Sequence, residues 1–130
     1  MNKNYIHTIE VPFHDTDMAG VVHFTNLLRY VEMAEHAAME SVTVPAMSRE
    51  GGFPKVHVEC DYVAPVRYRD EVDIVMTLEH ISKGALRWSF KMTVLGEAVA
   101  HGKIITAHVT ATGHPDFIPE QWGNRLDALR

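Results

Sequence analysis

The feature that most limits the fold is a hydrophobic period that changes once and then changes back. Over positions 5–13, tyrosine, histidine, isoleucine, valine and phenylalanine take the odd places, and isoleucine, threonine, glutamate and proline the even ones. That period of two is a strand with one better-buried face. Leu27, Val31, Ala34 and Ala38 then recur at helical spacing, with Leu28 widening the stripe and Glu32, Glu35 and Glu40 mostly elsewhere. This predicts a helix over about 25–41. Four more strand patterns follow, so the chain offers five strands and one helix of any size. A sheet of that kind must hide one face on its helix, which is an α+β arrangement.

Val56, Val58, Cys60 and Tyr62 alternate with His57, Glu59 and Asp61, and Val72, Ile74, Met76 and Leu78 with Asp73 and Thr77. Leu86, Trp88, Phe90, Met92 and Val94 alternate with Arg87, Ser89, Lys91 and Thr93 in the clearest pattern of the chain. The run over 97–110 is apolar throughout, as expected of a central strand covered on both faces. Turns at Ser82-Lys83-Gly84 and Gly96-Glu97 make the last three strands antiparallel neighbours. Pro12 marks an edge position or the first strand's exit. Pro45 and Gly51-Gly52 mark a loop over 43–53, with a short helical turn at 45–50. Trp122, Leu126 and Leu129 predict a short docking helix, or a frayed end, in the tail over 118–130. No linker, repeat or low-complexity tract divides the 130 residues, so residues 1–130 are read as one domain. With no second helix for the sheet's other face, an exposed five-strand apolar surface calls for homo-oligomerisation.

Composition removes several classes. A formal net charge of -5 argues against a nucleic-acid binder, which would carry a basic face. A single cysteine, Cys60, cannot build a disulfide framework and fits a reducing compartment. No apolar run approaches the roughly 20 residues needed to cross a bilayer, and no secretory leader precedes the first strand, so no membrane partner and a cytoplasmic location are expected.

The stretch between the first strand and the helix, residues 14–26, is chemically over-equipped for a chain reversal: it holds two aspartates, a glycine, two valines, two histidines and a polar helix start. Asp15-Thr16-Asp17-Met18-Ala19-Gly20-Val21-Val22-His23-Phe24-Thr25-Asn26 resembles the motif of the hotdog-fold acyl-CoA thioesterases of the 4-hydroxybenzoyl-CoA thioesterase family, YbgC-like members included. Their pattern is Asp-x-Asp-x-x-Gly, two aliphatics, three further residues and Asn, leading into the helix. The segment Asp61-Tyr62, Ala64-Pro65-Val66-Arg67 and Asp70 also looks like the family's second-strand region, and the likeness extends to about residue 112. The resemblance implies a five-stranded antiparallel sheet wrapped around one long central helix. It implies homodimers with a continuous sheet and sites at the interface, often paired again into tetramers. The substrate implied is an acyl-CoA or acyl-carrier-protein thioester. No cofactor is implied, because coenzyme A is part of the substrate. The catalytic carboxylate is implied to be Asp17, and the oxyanion donor the backbone N–H of Phe24.

The chemistry suits those assignments. A thioester needs an oxygen nucleophile and a partner for the developing oxyanion. A carboxylate supplies the first as general base or as nucleophile, and a helix N-terminus supplies the second. The helix's first turn carries no acid, and Arg29 lies close to it, so Asp17 is free to lie near that terminus without capping it. The plain alternative for Asp17 is a turn aspartate bonded to its own backbone. Asp15 is read as orienting the loop or pairing with a basic residue. Gly20 and Val22 line the path of the acyl thioester, Thr25 caps the helix, and Asn26 supports the loop or the substrate. His23 lies one position before the histidine of YbgC-like members, whose place Phe24 takes here. An acid–base role is therefore not carried over to it, and it remains a candidate contact. His14, Asp15, Asp17 and His23 do not make a recognised ligand spacing, so no metal is assigned. Cys60 is read as a small buried residue rather than a nucleophile. Glu32 and Glu35 are read as solvated or interface residues. Arg67, Arg69, Lys83, Arg87 and Lys103 are candidates for the CoA phosphates. The competing readings are a non-catalytic acyl-CoA-binding protein and a hydratase or dehydratase, which would want a histidine paired with an acid.

Overall fold

A computed structural model describes residues 4–130; the absence of a leader was read partly from residues 1–3, which lie outside them. Five strands form one antiparallel sheet: β1 (Tyr5–Glu10), β4 (Lys55–Tyr62), β5 (Glu71–Ile81), β6 (Ala85–Val94) and β7 (Glu97–Ala107), in the order β1-β5-β6-β7-β4. The alternation read in the sequence is what seats this sheet. Val72, Ile74, Met76 and Leu78 of β5, with Leu86, Trp88, Phe90 and Met92 of β6, face inward and are buried. Against them lies α1 (Phe24–Ser41), an 18-residue helix that buries Leu27, Tyr30, Val31, Ala34, Ala38 and Met39. Each of the larger side chains contributes roughly 1.5–3 kcal/mol when fully buried, and the alanines less, so the two faces together hold the core.

Several expectations need correction. The helix begins one residue earlier than its stripe suggests, and at 18 residues it is not the one long central helix that the resemblance implied; the short docking helix expected in the tail does form. The tail forms α2 (Glu120–Leu126), whose Leu126 is buried, and a following 3-10 turn buries Leu129. Residues 45–50 make no helical turn. Two-residue strands β2 (Met47–Ser48) and β3 (Gly51–Gly52) pair there, and β3 joins β8 (Val109–Thr110) in a small separate sheet. Such short pieces carry no hydrophobic period. Strand β7 lies between β6 and β4, but only one of its faces is covered; its outward residues include His101 and Lys103. The uncovered side of the sheet is polar rather than apolar, since Arg87, Ser89, Lys91 and Thr93 share it with Asp73 and Thr77. The two-residue turn between β6 and β7 is Leu95-Gly96, both at positive φ (50° and 80°), the geometry that suits the twist of a tight hairpin.

The open apolar surface lies elsewhere. Val58, Cys60 and Tyr62 of β4 face the helix side of the sheet, opposite Ile104, Gly102 and Ala100, yet Val58 is 41% and Tyr62 45% exposed. Cys60 is therefore only half-buried, because α1 does not extend over the β4 edge.

Candidate functional site

Residues 15–23 form a miniature hairpin. Thr16 bridges Val22, the Asp17 N–H donates to the Val21 carbonyl at 2.8 Å, and the Gly20 N–H donates to the Asp17 carbonyl at 2.9 Å. Gly20 adopts φ +80°, a region that glycine enters without the Cβ penalty. The tip is thus a tight turn with Asp17 at its first position. The Asp17 side chain is exposed, and its Oδ1 accepts the amides of Ala19 (2.8 Å) and Val21 (3.3 Å). Its Oδ2 has no partner among the described residues.

The base of the hairpin is anchored by Asp15, which is 4% exposed. Its Oδ1 accepts from Arg29 Nη2 at 2.6 Å and its Oδ2 from the Tyr30 hydroxyl at 2.5 Å. Its carbonyl accepts Asn26 Nδ2 at 3.0 Å and the His23 N–H at 3.3 Å. Three residues of α1 therefore grip one loop residue. The Tyr30 phenol is pushed well above its usual range, first by burial and then by its bond to Asp15. On the far side, the Val22 N–H donates to the Val66 carbonyl at 2.7 Å, and Val21 bridges Arg67. The hairpin is pinned to the helix on one side and to the β4–β5 connection on the other.

The helix start departs from expectation in one detail. With Phe24 as the first helical residue, Thr25 lies inside the first turn and His23 takes the cap position. Its Nδ1 accepts the Thr25 N–H at 3.3 Å and lies 2.7 Å from the Thr25 hydroxyl. The Phe24 N–H has no partner among the described residues. The first turn holds no acid, so the positive end of the helix dipole stands uncompensated by its own side chains. Arg29, the cation near it, is drawn onto Asp15.

Val21, Val22, Phe24 and Leu27 line a cleft of about 360 Å³, closed on the other side by residues 62–66. The Tyr62 ring meets Phe24 edge to face, and its hydroxyl lies 3.4 Å from the Phe24 carbonyl. Burial pushes that phenol up to about 12, so it stays protonated and donates. Of the residues singled out in the sequence, Val22 and Phe24 line the cleft. Asp17, Gly20, His23, Thr25 and Asn26 do not, although all belong to the hairpin or to the helix start beside it. Another cleft, of about 430 Å³, lies at the opposite end of α1 among His36, Glu40 and residues 43–47; it has no helix N-terminus and no part of the hairpin. Among the described residues, no cluster of three or more potential ligands stands ready for a metal. Of the basic candidates, Arg67 bridges the hairpin at Val21, Arg69 donates its N–H to the Val11 carbonyl just after β1, Lys83 sits in the β5–β6 turn, and Arg87 and Lys103 lie on the outward face.

A sequence profile described as the thioesterase-like superfamily matches residues 11–126. The chain belongs to that superfamily. A 1,4-dihydroxy-2-naphthoyl-CoA hydrolase of Synechococcus sp. (strain WH7803) is 29% identical over 133 residues, covering 93% of this chain and 87% of that protein. A second, from Synechococcus sp. (strain RCC307), is 31% identical over 104 residues, covering 74% and 78%. A Thermus thermophilus protein of solved structure superposes with a TM-score of 0.90 at 26% identity, covering 97% of this chain and 99% of that one.

The superfamily motif did not announce a second polar group, under the middle of α1. Glu35 is 0% exposed; its Oε1 accepts from Lys55 Nζ at 2.7 Å, and its Oε2 is buried without a partner. Glu32 also accepts from Lys55, at 2.9 Å. Burial raises the Glu35 carboxyl above its usual range, against the pull of Lys55. The hydrogen bond from Lys55 lowers Glu32. Burial pulls the Lys55 ammonium down, but the two glutamates outweigh it and hold it above its usual range. Glu35 is not a solvated residue. It follows Val31 by four positions and Leu27 by eight, which sets it on the buried stripe.

Proposed function

We propose that this protein hydrolyses an acyl- or aroyl-CoA thioester, or the corresponding acyl-carrier-protein thioester, to the free acid and the thiol. Thioester hydrolysis is the class of the superfamily to which the chain belongs; the substrate and the residue roles are inferred. The observation that carries the reading is the unpartnered Phe24 N–H at the start of an 18-residue helix, beside an apolar cleft and a hairpin whose acid keeps one carboxylate oxygen free. Asp17 Oδ2 takes a proton from water as the water oxygen attacks the thioester carbonyl, or attacks that carbon itself. The carbonyl oxygen becomes an oxyanion held by the Phe24 N–H, and collapse expels the thiolate, which takes up the proton; on the second route the Asp17 mixed anhydride left behind is then hydrolysed by water to the free acid. A donor of this kind contributes about 3–4 kcal/mol to the transition state. Gly20 and Val22 shape the approach, and Thr25, Asn26 and His23 hold the helix start. Coenzyme A enters as substrate, with no separate cofactor and no metal, and Arg67, bridged to Val21, and Arg69, two residues on, are inferred to meet its phosphates.

The working unit is a homodimer joined through β4, and further pairing of dimers gives a tetramer. β4 is an edge strand of eight residues whose helix-side apolar face is open beside exposed Phe24. A second copy of β4 satisfies its free backbone groups and covers that face. No helix among the described residues is long and apolar enough to cross a membrane, and a cytoplasmic site suits the free Cys60 thiol.

Free-thiol release from a panel of CoA and carrier-protein thioesters, with wild type and Asp17→Asn in parallel, tests the reading. Activity on at least one thioester that Asp17→Asn abolishes is the expected result. A fully active Asp17→Asn protein would overturn the mechanism. A wild type inert on every thioester would favour simple binding.

A further inference from the structure

Lys55, Glu32 and Glu35 form a group that the hydrolysis outlined above leaves unused. A buried carboxylate paired with a lysine is weak evidence for stability, since desolvation offsets most of the attraction. One oxygen of Glu35 is left buried and unpaired, which makes the arrangement poorer still as a structural device. Within one chain the group lies far from the cleft. Eleven residues of α1 separate Phe24 from Glu35, about 16 Å at the helical rise.

The two ends of β4 remove that distance. Tyr62, at its C-terminal end, lines the cleft beside Phe24, and Lys55, at its N-terminal end, is tied to Glu32 and Glu35. Both side chains lie on the helix side of the sheet, opposite Ala100 and Thr106. When two copies of β4 pair antiparallel about a two-fold axis within the strand, each N-terminal half lies beside the other's C-terminal half. With the axis at the midpoint of the strand, at Glu59 once the bulge between Lys55 and His57 is allowed for, Lys55 of each subunit stands next to the partner's Tyr62, and so at the partner's cleft.

We infer that Lys55, fixed by Glu32 and Glu35 of its own subunit, completes the acyl cleft of the partner subunit and selects acyl groups bearing an oxygen substituent. An ammonium has three donors, and among the described residues two are taken, by Glu32 and Glu35. Its side chain is 19% exposed and that of Glu32 49%. The third N–H and the free oxygen of Glu32 therefore offer one donor and one acceptor at the end of an otherwise apolar wall, the pair a hydroxyl satisfies. Glu35 is the positioning residue, buried behind the lysine. The inference rests on the dimeric hydrolase proposed above.

The test uses heterodimers isolated through two different affinity tags, one subunit carrying Asp17→Asn and the other Lys55→Met. All activity then comes from Asp17 of the Lys55→Met chain. The readout is the kcat/KM ratio for 4-hydroxybenzoyl-CoA over benzoyl-CoA. The Lys55→Met homodimer is expected to lose roughly 10- to 100-fold of that ratio, the worth of a charge-assisted hydrogen bond, and the heterodimer to regain the wild-type ratio. A heterodimer that keeps the homodimer's ratio would assign Lys55 to its own subunit's cleft and overturn the inference. So would an unchanged ratio in the Lys55→Met homodimer. If Lys55→Met does not fold, the Glu35→Gln, Lys55→Met double variant removes the stranded charge and repeats the measurement. Sedimentation of the wild type and the Asp17→Asn homodimer's activity are read separately. A monomer or an active Asp17→Asn enzyme would overturn the proposed function itself, whatever the ratio.

Discussion

Asp15 and Asp17 stand two residues apart on one hairpin and are used in opposite ways. Asp15 is buried, both its oxygens engaged by α1 and its carbonyl engaged as well. Asp17 is exposed, with one oxygen on the turn's own amides and one free. An acid held at every acceptor has nothing left for water or substrate, whereas a half-satisfied, exposed acid on a pinned turn does. On the proposed hydrolysis the pair divides into an anchor and a reactive group, and each half of that division can be broken on its own.

The largest expected effect is on rate. Asp17→Asn keeps the side-chain oxygen that accepts the Ala19 and Val21 amides, so the turn should survive. The general-base or nucleophilic function is lost, and kcat should fall by about 10²–10⁴-fold. Thermal unfolding should move little. A drop in stability as large as the drop in rate would erase the distinction between the two acids.

Asp15→Ala should do the reverse. It leaves the Tyr30 hydroxyl buried without an acceptor and frees Arg29, while the Asn26 and His23 bonds to the backbone carbonyl remain. Breaking a fully buried ion pair costs about 3–5 kcal/mol. Arg29 is 48% exposed and regains water, so about 2–4 kcal/mol in denaturant unfolding is the expected loss. Activity should persist in the folded fraction, lowered to the extent that the hairpin loses its place.

How far these roles were legible depends on whether a residue's partner is local. The alternation of β6 and the stripe of α1 are sequence-local periods, and both elements appear within a residue or two of where those periods put them. Asp17 in its turn is also local, since the amides that donate to its carboxylate lie two and four residues on. Asp15 was legible only as an orienting acid, because its partners are 14 and 15 residues away on a helix. Glu35 is the sharper failure: it reads as lying off the apolar stripe, although it follows Val31 by four positions, because nothing local shows a partner for a buried glutamate until Lys55, 20 residues on, is seen to meet it. The small sheet of β2, β3 and β8 was illegible for another reason, since two residues carry no period at all.

Tyr30→Phe tests the anchor more gently. The hydroxyl's bond to Asp15 goes while the ring stays, for a loss of about 1–2 kcal/mol at neutral pH. The alkaline limb gives the sign. Folding raises the Tyr30 phenol above its ordinary value of 10.0, so above about pH 10 the unfolded chain releases this proton first. The stabilisation is full below that pH and is lost as pH climbs towards the folded-state value. The variant should show a shallower alkaline decline, with the remainder shared by Tyr62, Lys55 and Cys60, all also raised. An unchanged alkaline slope would mean that the Tyr30–Asp15 bond contributes nothing to the anchor.

The smallest effect belongs to the turn that separates the two acids. Gly20 sits at φ +80°, and a Cβ there would meet nothing within 4 Å. Gly20→Ala therefore carries only the left-handed backbone penalty of about 1 kcal/mol, with no clash added to it. If the hairpin is as firmly pinned as its bonds to Asp15 and Val66 imply, the penalty should appear as lost stability with kcat within about threefold of wild type. If the turn instead relaxes, Asp17 moves with it, and rate should fall more than stability does. That second result would show that Asp15 holds the base of the hairpin but not its tip, and that the reactive acid depends on glycine at position 20 as well as on the anchor.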